Sequence, residues 1–211
     1  TGNNNVILGY QAGDAITTGT NNVAVGSGAA GGITTGQKNI AIGTGALGTD
    51  DVGFAHIAIG ANALNNQNFA SSNSEWEANV AIGNKAAYSN TTGNMNIVIG
   101  TAAKYTDDTG NQTTAIGHNA MYSQNMASSV TTANVGVGHK VGYYNVIGTN
   151  NTYLGYQAGL GASGQSHSNN VAIGSNAMTA VSTGGSNVAI GAWAGNVMTT
   201  TYNTVLIGAN A

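Results

Sequence analysis

The segment NVAIG at Asn187–Gly191, with an alanine three residues later at Ala194, decides how the chain is organised. Its closing glycine, here called the anchor glycine, recurs at Gly9, Gly26, Gly43, Gly60, Gly83, Gly100, Gly117, Gly138, Gly155, Gly174, Gly191 and Gly208. The steps between successive anchors are 17, 17, 17, 23, 17, 17, 21, 17, 19, 17 and 17 residues. A period that covers the whole chain is the sequence signature of a solenoid. The sequence therefore predicts one repeat domain over 1–211, with about twelve 17-residue coils.

A short apolar segment precedes each anchor glycine. Large aliphatic residues stand three and one positions before the anchor, as Val188 and Ile190 do, and a small residue such as Ala189 usually lies between them. Alternation with a period of two predicts a β-strand, here apolar on both faces. The alanine three residues after the anchor predicts a second short strand that folds back over the first. The fold class is therefore all-β, a single-chain parallel β-roll or solenoid.

Two further positions recur in register. A glycine seven residues before the anchor marks the other turn of the coil. An asparagine four residues before the anchor occurs in nine coils, and stacking would bring these amides to the strand spacing of about 4.7 to 4.9 Å, where each can hydrogen-bond to the next. We interpret this row as a structural ladder rather than a ligand site. Its members are Asn5, Asn22, Asn39, Asn79, Asn96, Asn134, Asn151, Asn170 and Asn187.

The composition excludes several classes of protein. Only 5% of residues are charged and lysine and arginine together number 4, too few to neutralise a nucleic-acid backbone. No apolar run approaches the roughly 20 residues of a membrane helix, so this segment is not expected to insert into a membrane. The chain contains no cysteine, which fits an extracellular or virion protein without excluding the cytosol. The repeat reaches both ends without a capping segment, which predicts a portion of a longer fibre.

The small size of the repeat predicts self-association. Each coil offers two aliphatic side chains and one or two alanines, against a backbone ordering cost of roughly 1 to 2 kcal/mol per residue. Packing of the alanine-rich face against neighbouring chains would supply the missing burial. We therefore expect a homo-oligomer, most simply a trimer of parallel rolls.

The repeat resembles two related groups of surface proteins. The core NVAIG followed by alanine resembles the NSVAIG-type repeats in the heads of trimeric autotransporter adhesins. The longer unit, with GYQAG at Gly155–Gly159 and YSNTTGNMNIVIG at Tyr88–Gly100, is similar to repeats of phage tail fibre and tailspike-like proteins. The resemblance implies a left-handed β-roll in a parallel homotrimer that binds a bacterial or host cell-surface glycan or protein. The 17-residue spacing and the lack of a coiled-coil stalk favour the phage branch.

Binding is expected where the step between anchor glycines is longer than 17 residues. The extra residues predict loops near 65–78, 123–133 and 160–169, all at the same corner of the roll. The first loop carries two aromatic and two acidic side chains, a typical platform for sugars or protein partners. The alternative is that its aromatic rings fold down over the roll or into the next subunit. The candidate receptor-binding residues in it are Phe69, Glu75, Trp76 and Glu77.

A row of tyrosines is the second candidate site. Tyr88, Tyr105, Tyr122 and Tyr143 each follow an anchor glycine by five residues in four consecutive coils, so they should stack along one edge. Such a row could bind a glycan chain that lies along the fibre. The alternative is an aromatic ladder that only stabilises the stack.

Patterns typical of catalysis and metal binding are weak, so we expect no enzyme, no cofactor and no metal. The pairs Asp50-Asp51 and Asp107-Asp108 occupy equivalent turns about 14 Å apart by strand spacing, too far for one glycosidic bond, and we interpret them as solvated turn acids. His118 and His139 follow adjacent anchors but have no third ligand. Three functions stay open: a phage tail fibre segment that attaches to a host, the head of an autotransporter adhesin, and a purely structural spacer or filament.

Overall fold

The structure, a computed structural model, describes residues 2–69 and 78–211. Twelve three-residue strands form one sheet in chain order, and every neighbouring pair is parallel. The strands are β1 (Val6–Leu8), β2 (Val23–Val25), β3 (Ile40–Ile42), β4 (Ile57–Ile59), β5 (Val80–Ile82), β6 (Ile97–Ile99), β7 (Thr114–Ile116), β8 (Val135–Val137), β9 (Thr152–Leu154), β10 (Val171–Ile173), β11 (Val188–Ile190) and β12 (Val205–Ile207). The predicted all-β parallel solenoid is confirmed, while its handedness and trimeric assembly stay predictions. Within the described ranges, no helix has the length and apolar character to cross a membrane.

The predicted second strand is wrong. After each anchor glycine the chain forms turns that hydrogen-bond to the next coil, as the Ala30 nitrogen does to the Ala46 oxygen at 2.9 Å and the Leu47 nitrogen to the Ala63 oxygen at 2.9 Å. Ala30 and Leu47 have φ values of 52° and 50°. A left-handed residue at this point prevents an extended strand, although the coils still stack.

The sequence led us to expect that the alanine-rich face of the sheet packs against neighbouring chains, but in the structure this face points into the coil. The middle residue of each strand from β2 to β11 is buried, and Ala24, Ala41 and Ala58 have no exposed surface. The flanking Val and Ile residues point away from the interior and stay partly exposed. The alanine-rich face is therefore the inner face of the coil, so it is not free to pack against neighbouring chains. An interior this narrow accommodates methyl groups in place of larger side chains.

One coil shows how tightly the interior is fitted. Tyr153 occupies the middle of β9, where most strands have alanine, and it is 1% exposed. A Cβ at Gly159 would lie 2.6 Å from the Tyr153 ring, and one at Gly142 would lie 3.1 Å from it. Glycines in two coils thus provide the volume that the ring fills.

The predicted asparagine ladder is confirmed, and it uses both ends of each amide. Asn39 Oδ1 accepts a hydrogen bond from the backbone nitrogen of His56 in the next coil at 2.9 Å. Asn39 Nδ2 donates to the turn carbonyl of Gly53 at 2.8 Å. The same pair of contacts recurs at the other predicted ladder positions, including Asn22, Asn79, Asn96, Asn170 and Asn187. Each amide therefore satisfies two buried backbone groups of the following coil.

The anchor glycines are required by close contact between coils. Gly43 has a φ of 128°, and a Cβ there would lie 2.6 Å from the backbone carbon of Gly60 in the next coil. No side chain fits in this gap, and the backbone conformation itself favours glycine. The anchors thus set the distance of closest approach between coils.

The interior contains a column of polar side chains that the sequence analysis missed. The residue seven positions after the anchor is polar in six consecutive coils, and these residues are at most 5% exposed: Asp50, Gln67, Asn90, Asp107, Gln124 and Asn145. We call this row the interior polar column. The expectation that Asp50 and Asp107 are solvated turn acids is wrong, because both are fully buried. Ile16 and Ile33 hold the same position in the first two coils, so the side chain at this position points inward in each of the first eight coils.

Hydrogen bonds and a contact between a histidine and a carboxylate satisfy much of this column. Gln67 Oε1 accepts from Asn79 Nδ2 at 3.1 Å and also from the Asn90 amide. His56 Nε2 lies 3.4 Å from Asp50 Oδ2, and its Nδ1 accepts from the Asn79 backbone nitrogen at 3.0 Å. The column is thus bonded to the asparagine ladder, so the two rows stabilise each other.

Two histidines are buried beside these rows. Burial lowers the pKa of His56 to about 4 and that of His167 to about 4. His167 Nδ1 lies 2.7 Å from the hydroxyl of Tyr153, and its backbone nitrogen donates to Asn145 Oδ1. Both rings are therefore neutral at pH 7 in the folded protein.

Loss of one ladder amide should be costly. Asn39→Ala leaves the His56 nitrogen and the Gly53 oxygen without their partners, so we expect the free energy of unfolding to fall by about 2 to 4 kcal/mol. The measurement is chemical denaturation at fixed protein concentration. Asn84→Ala is the control, because Asn84 is exposed and should change stability by less than about 0.5 kcal/mol. Equal effects of the two substitutions would contradict the ladder.

Stability should depend on pH through His167. In the unfolded chain a histidine has a pKa near 6.5, so the unfolded state takes up the proton first. The stabilisation is present above pH 6.5 and is lost as the pH falls toward 4, by at most about 3 kcal/mol for this residue. Thermal unfolding of the unmodified protein and of His167→Gln, from pH 7.5 to 4.5, measures the difference. Parallel pH profiles for the two proteins would contradict this assignment. His167 is chosen over His56 because Asp50 would offset the charge on His56.

Candidate functional site

The tyrosine row forms a continuous stack on the surface. Ring centroids are 5.3 Å apart for Tyr88 and Tyr105, 5.2 Å for Tyr105 and Tyr122, and 5.0 Å for Tyr122 and Tyr143. The planes of neighbouring rings differ by 6° to 9°. The stacking predicted from the sequence is therefore confirmed, because the ring spacing follows the spacing of the coils.

The surroundings of the row differ between its two ends. Lys85 places its ammonium group 6.0 Å from the Tyr88 ring centroid, and Lys140 places its own 5.7 Å from that of Tyr143. Tyr144 packs edge-on against Tyr143, with the centroids 4.7 Å apart. Burial raises the pKa of the Tyr143 hydroxyl, and neighbouring tyrosines add to the shift. The Tyr143 phenol is therefore a neutral donor and acceptor at pH 7.

The stacking limits the ways in which the row can bind a ligand. The faces of Tyr105 and Tyr122 are covered by the rings on either side, so a sugar cannot stack on them. All four tyrosines stay partly exposed, and the exposed part of a stacked ring is its edge. The row therefore presents a line of ring edges and hydroxyl groups with a repeat of about 5 Å, which suits a long ligand that runs parallel to the solenoid axis.

The first loop is only partly described. Phe69 is 8% exposed and stacks on His56, with the ring centroids 5.6 Å apart and the planes 12° apart. This corresponds to the alternative in which the ring folds over the roll, because a buried ring is not presented to a receptor. Glu75, Trp76 and Glu77 lie outside the described residues, so their role in binding stays a prediction.

A second aromatic row lies one residue after the anchor glycines. His118 stacks on His139 with centroids 5.2 Å apart, and His139 stacks on Tyr156 at 5.4 Å. His118 and Tyr156 are exposed and His139 is partly exposed. Over residues 2–69 and 78–211, no group of three or more histidine, cysteine or acidic side chains is arranged to hold a metal ion. The arrangement of this row is therefore that of an aromatic stack.

The candidate site consists of open surface rows, since the described part of the chain encloses no pocket. The interior polar column is the feature that sequence reasoning overlooked. The sequence contains the pattern that would have predicted this column. A polar residue occurs seven positions after the anchor glycine in six consecutive coils, while the other inward positions are mostly Ala, Leu or Met. Comparisons of the chain with protein-family models, curated proteins and solved structures found no match.

Removal of one ring from the tyrosine row should reduce stability. Tyr105→Leu eliminates two ring contacts, each worth about 0.5 to 1.5 kcal/mol, so unfolding should become easier by about 1 to 3 kcal/mol. Tyr10→Leu is the control, because Tyr10 is 75% exposed and is not stacked on another described ring. Chemical denaturation of both variants is the measurement. No difference between them would show that the stack contributes nothing to stability.

Proposed function

We propose that this chain is a non-enzymatic attachment protein, a shaft or head segment of a trimeric phage tail fibre that binds a bacterial surface glycan or protein. The observation that carries the proposal is the long outer sheet face, which is almost entirely apolar and uncovered in the single chain. Each strand turns two side chains outward, and all of them are aliphatic except Thr114 and Thr152. The repeat resemblance supports the fibre assignment.

The dimensions of this face support its burial between copies of the same chain. Twelve strands with a spacing of about 4.8 Å make it roughly 50 Å long, and three residues make it about 10 Å wide. An apolar patch of roughly 500 Å² is at the upper end of what soluble monomers expose. Outward residues in the middle of the sheet include Ile97 at 44% exposed, Val135 at 40% and Leu154 at 47%.

A second copy of the chain fits this face better than an unrelated partner does. The face repeats with the coil spacing, so an identical parallel roll presents the same apolar rows at the same intervals. No outward strand position carries a charge, so close approach buries no unpaired ion. Three copies around one axis would leave the tyrosine row and the loops available for recognition, which is the arrangement we propose.

Two alternatives are kept because the repeat is shared between groups of proteins. One is the head of an autotransporter adhesin that binds host cells or matrix. The other is a structural spacer, in which recognition belongs to other domains. A fold of this kind hosts many specificities, so the assignment depends on direct binding measurements.

Self-association should fail when a charge is placed on the aliphatic face. Ile116→Lys puts an ammonium group at an outward position of β7, and we expect at least a tenfold weaker association because burial of an unpaired charge is costly. Gln112→Lys is the matched control in the same coil, since Gln112 is exposed and its equivalent in another coil is Lys38. Sedimentation velocity measures both variants. Unchanged association of Ile116→Lys would contradict this interface.

Recognition is tested separately with the oligomer intact. The purified protein is applied to arrays of bacterial surface glycans and to whole cells, and Tyr122→Ser is compared with Tyr10→Ser. We expect binding that the Tyr122 substitution weakens and the Tyr10 substitution leaves unchanged. Failure of the unmodified protein to bind any surface would reject attachment in favour of the spacer alternative.

A further inference from the structure

A lysine, an amide and a carboxylate meet inside the solenoid. Lys104 Nζ lies 3.3 Å from Asn90 Oδ1 and 3.0 Å from Asp107 Oδ2. All three residues are 0% exposed. Asn90 and Asp107 belong to the interior polar column, whereas Lys104 enters from the position four residues after its anchor glycine. A primary amine, an amide carbonyl and a carboxylate are thus in contact at a point where none of the three residues is exposed at the surface.

The position of this lysine is exceptional in the chain. The other lysines, Lys38, Lys85 and Lys140, reach the surface, where their ammonium groups lie over aromatic rings. Position-matched residues in other coils are apolar, for example Leu64 and Met121. A buried lysine is costly, and the matched position in the other coils is apolar, so the lysine at this one position calls for a specific explanation.

We propose that Lys104 and Asn90 form an intramolecular isopeptide bond, with Asp107 as the group that transfers the proton. The nucleophile is the neutral amine, and burial lowers the pKa of Lys104, an effect that the charge of Asp107 partly opposes. Because a C=O bond is about 1.23 Å long, Cγ of Asn90 lies within about 4.5 Å of Nζ. A small adjustment of the lysine side chain brings the two atoms to the distance from which a bond can form.

The reaction is balanced without an external reagent. Asp107 accepts a proton from the Lys104 ammonium group, and the free amine adds to Cγ of Asn90. Asp107 then passes this proton to Nδ2 of Asn90, the bond between Cγ and Nδ2 breaks and ammonia leaves, while Asp107 accepts the second proton of the former lysine nitrogen. That proton passes on to the departing ammonia, so the products are a secondary amide between the two side chains, an ammonium ion and a regenerated Asp107 carboxylate. No electron is transferred and no cofactor is needed.

The surrounding contacts hold the amide and the acid in place. Asn90 Nδ2 donates to the Gly93 carbonyl at 2.8 Å and to Gln67 Oε1, which fixes the plane of the electrophile. Asp107 Oδ1 accepts from the backbone nitrogens of Gly110 at 3.1 Å and Met126 at 3.2 Å. Asp107 Oδ2 therefore faces Lys104 Nζ. The amide and the carboxylate are thus both oriented before the reaction begins.

The bond would join two consecutive coils. Asn90 follows the anchor Gly83, and Lys104 follows the anchor Gly100, so the link closes a loop across one turn of the solenoid. A solenoid without disulfides would thereby gain a covalent clamp near its middle. Such a clamp opposes the local separation of coils, which is the way in which a stack of repeats begins to unfold.

The test is the intact mass of the folded protein, measured after denaturation. We expect each chain to be lighter than its sequence by one ammonia molecule. Trypsin should fail to cleave after Lys104 and should release 86–140 as one internally linked peptide, which fragmentation assigns to Asn90 and Lys104. The full sequence mass after prolonged incubation of the folded protein at neutral and mildly alkaline pH would overturn the proposal.

Variants separate this reaction from cyclisation of Asn90 with its own backbone, which also releases ammonia. Lys104→Met is position-matched to Met121 and should fold with the full mass. Asp107→Asn keeps both reacting groups and should abolish or greatly slow the mass loss. Persistence of the loss in Lys104→Met, with normal tryptic cleavage after Lys104 in the unmodified protein, would also reject the isopeptide bond.

Discussion

The stacking distance between coils is the constraint on which the rest of the structure depends. Successive backbones approach so closely that the anchor positions accept only glycine, as at Gly43. At this distance an asparagine such as Asn39 can bond to the next coil at both ends of its amide. The strands themselves contain only three residues each, so the turns and the ladder contribute much of the inter-coil bonding. A coil of this kind is stable through its neighbours rather than by itself.

The narrow interior determines which surfaces remain for function. Because alanine fills the inside, the larger Val and Ile side chains are left on the outer face, where they form the apolar surface that we assign to self-association. The same spacing orders the aromatic rows outside and the interior polar column inside. Side chains at equivalent positions are brought into contact along the axis. A polar or aromatic residue that occurs at the same position in several consecutive coils therefore forms a continuous row.

Much of the fold could be predicted from the sequence, because each anchor glycine, ladder asparagine and aliphatic pair recurs in register. The period also predicted the stacking of Tyr105 on its neighbours. The orientation of the strand faces could not be predicted, since alternation shows that two faces differ but not which one is enclosed. The burial of Asp107 was missed for a related reason, because aspartate beside a turn is usually solvated. Only the comparison with Ile33, which also lies seven residues after its anchor glycine and is buried, indicates that the side chain at this position points inward.

The central claim is that copies of this rod associate side by side along the aliphatic face. Small-angle X-ray scattering of the unmodified protein in solution measures both the mass and the length of the particle. The account predicts three times the chain mass of 20.9 kDa, with the length of a single roll of about 50 Å along the coil axis. A particle with the mass of one chain, or one whose length grows in proportion to its mass, would contradict it.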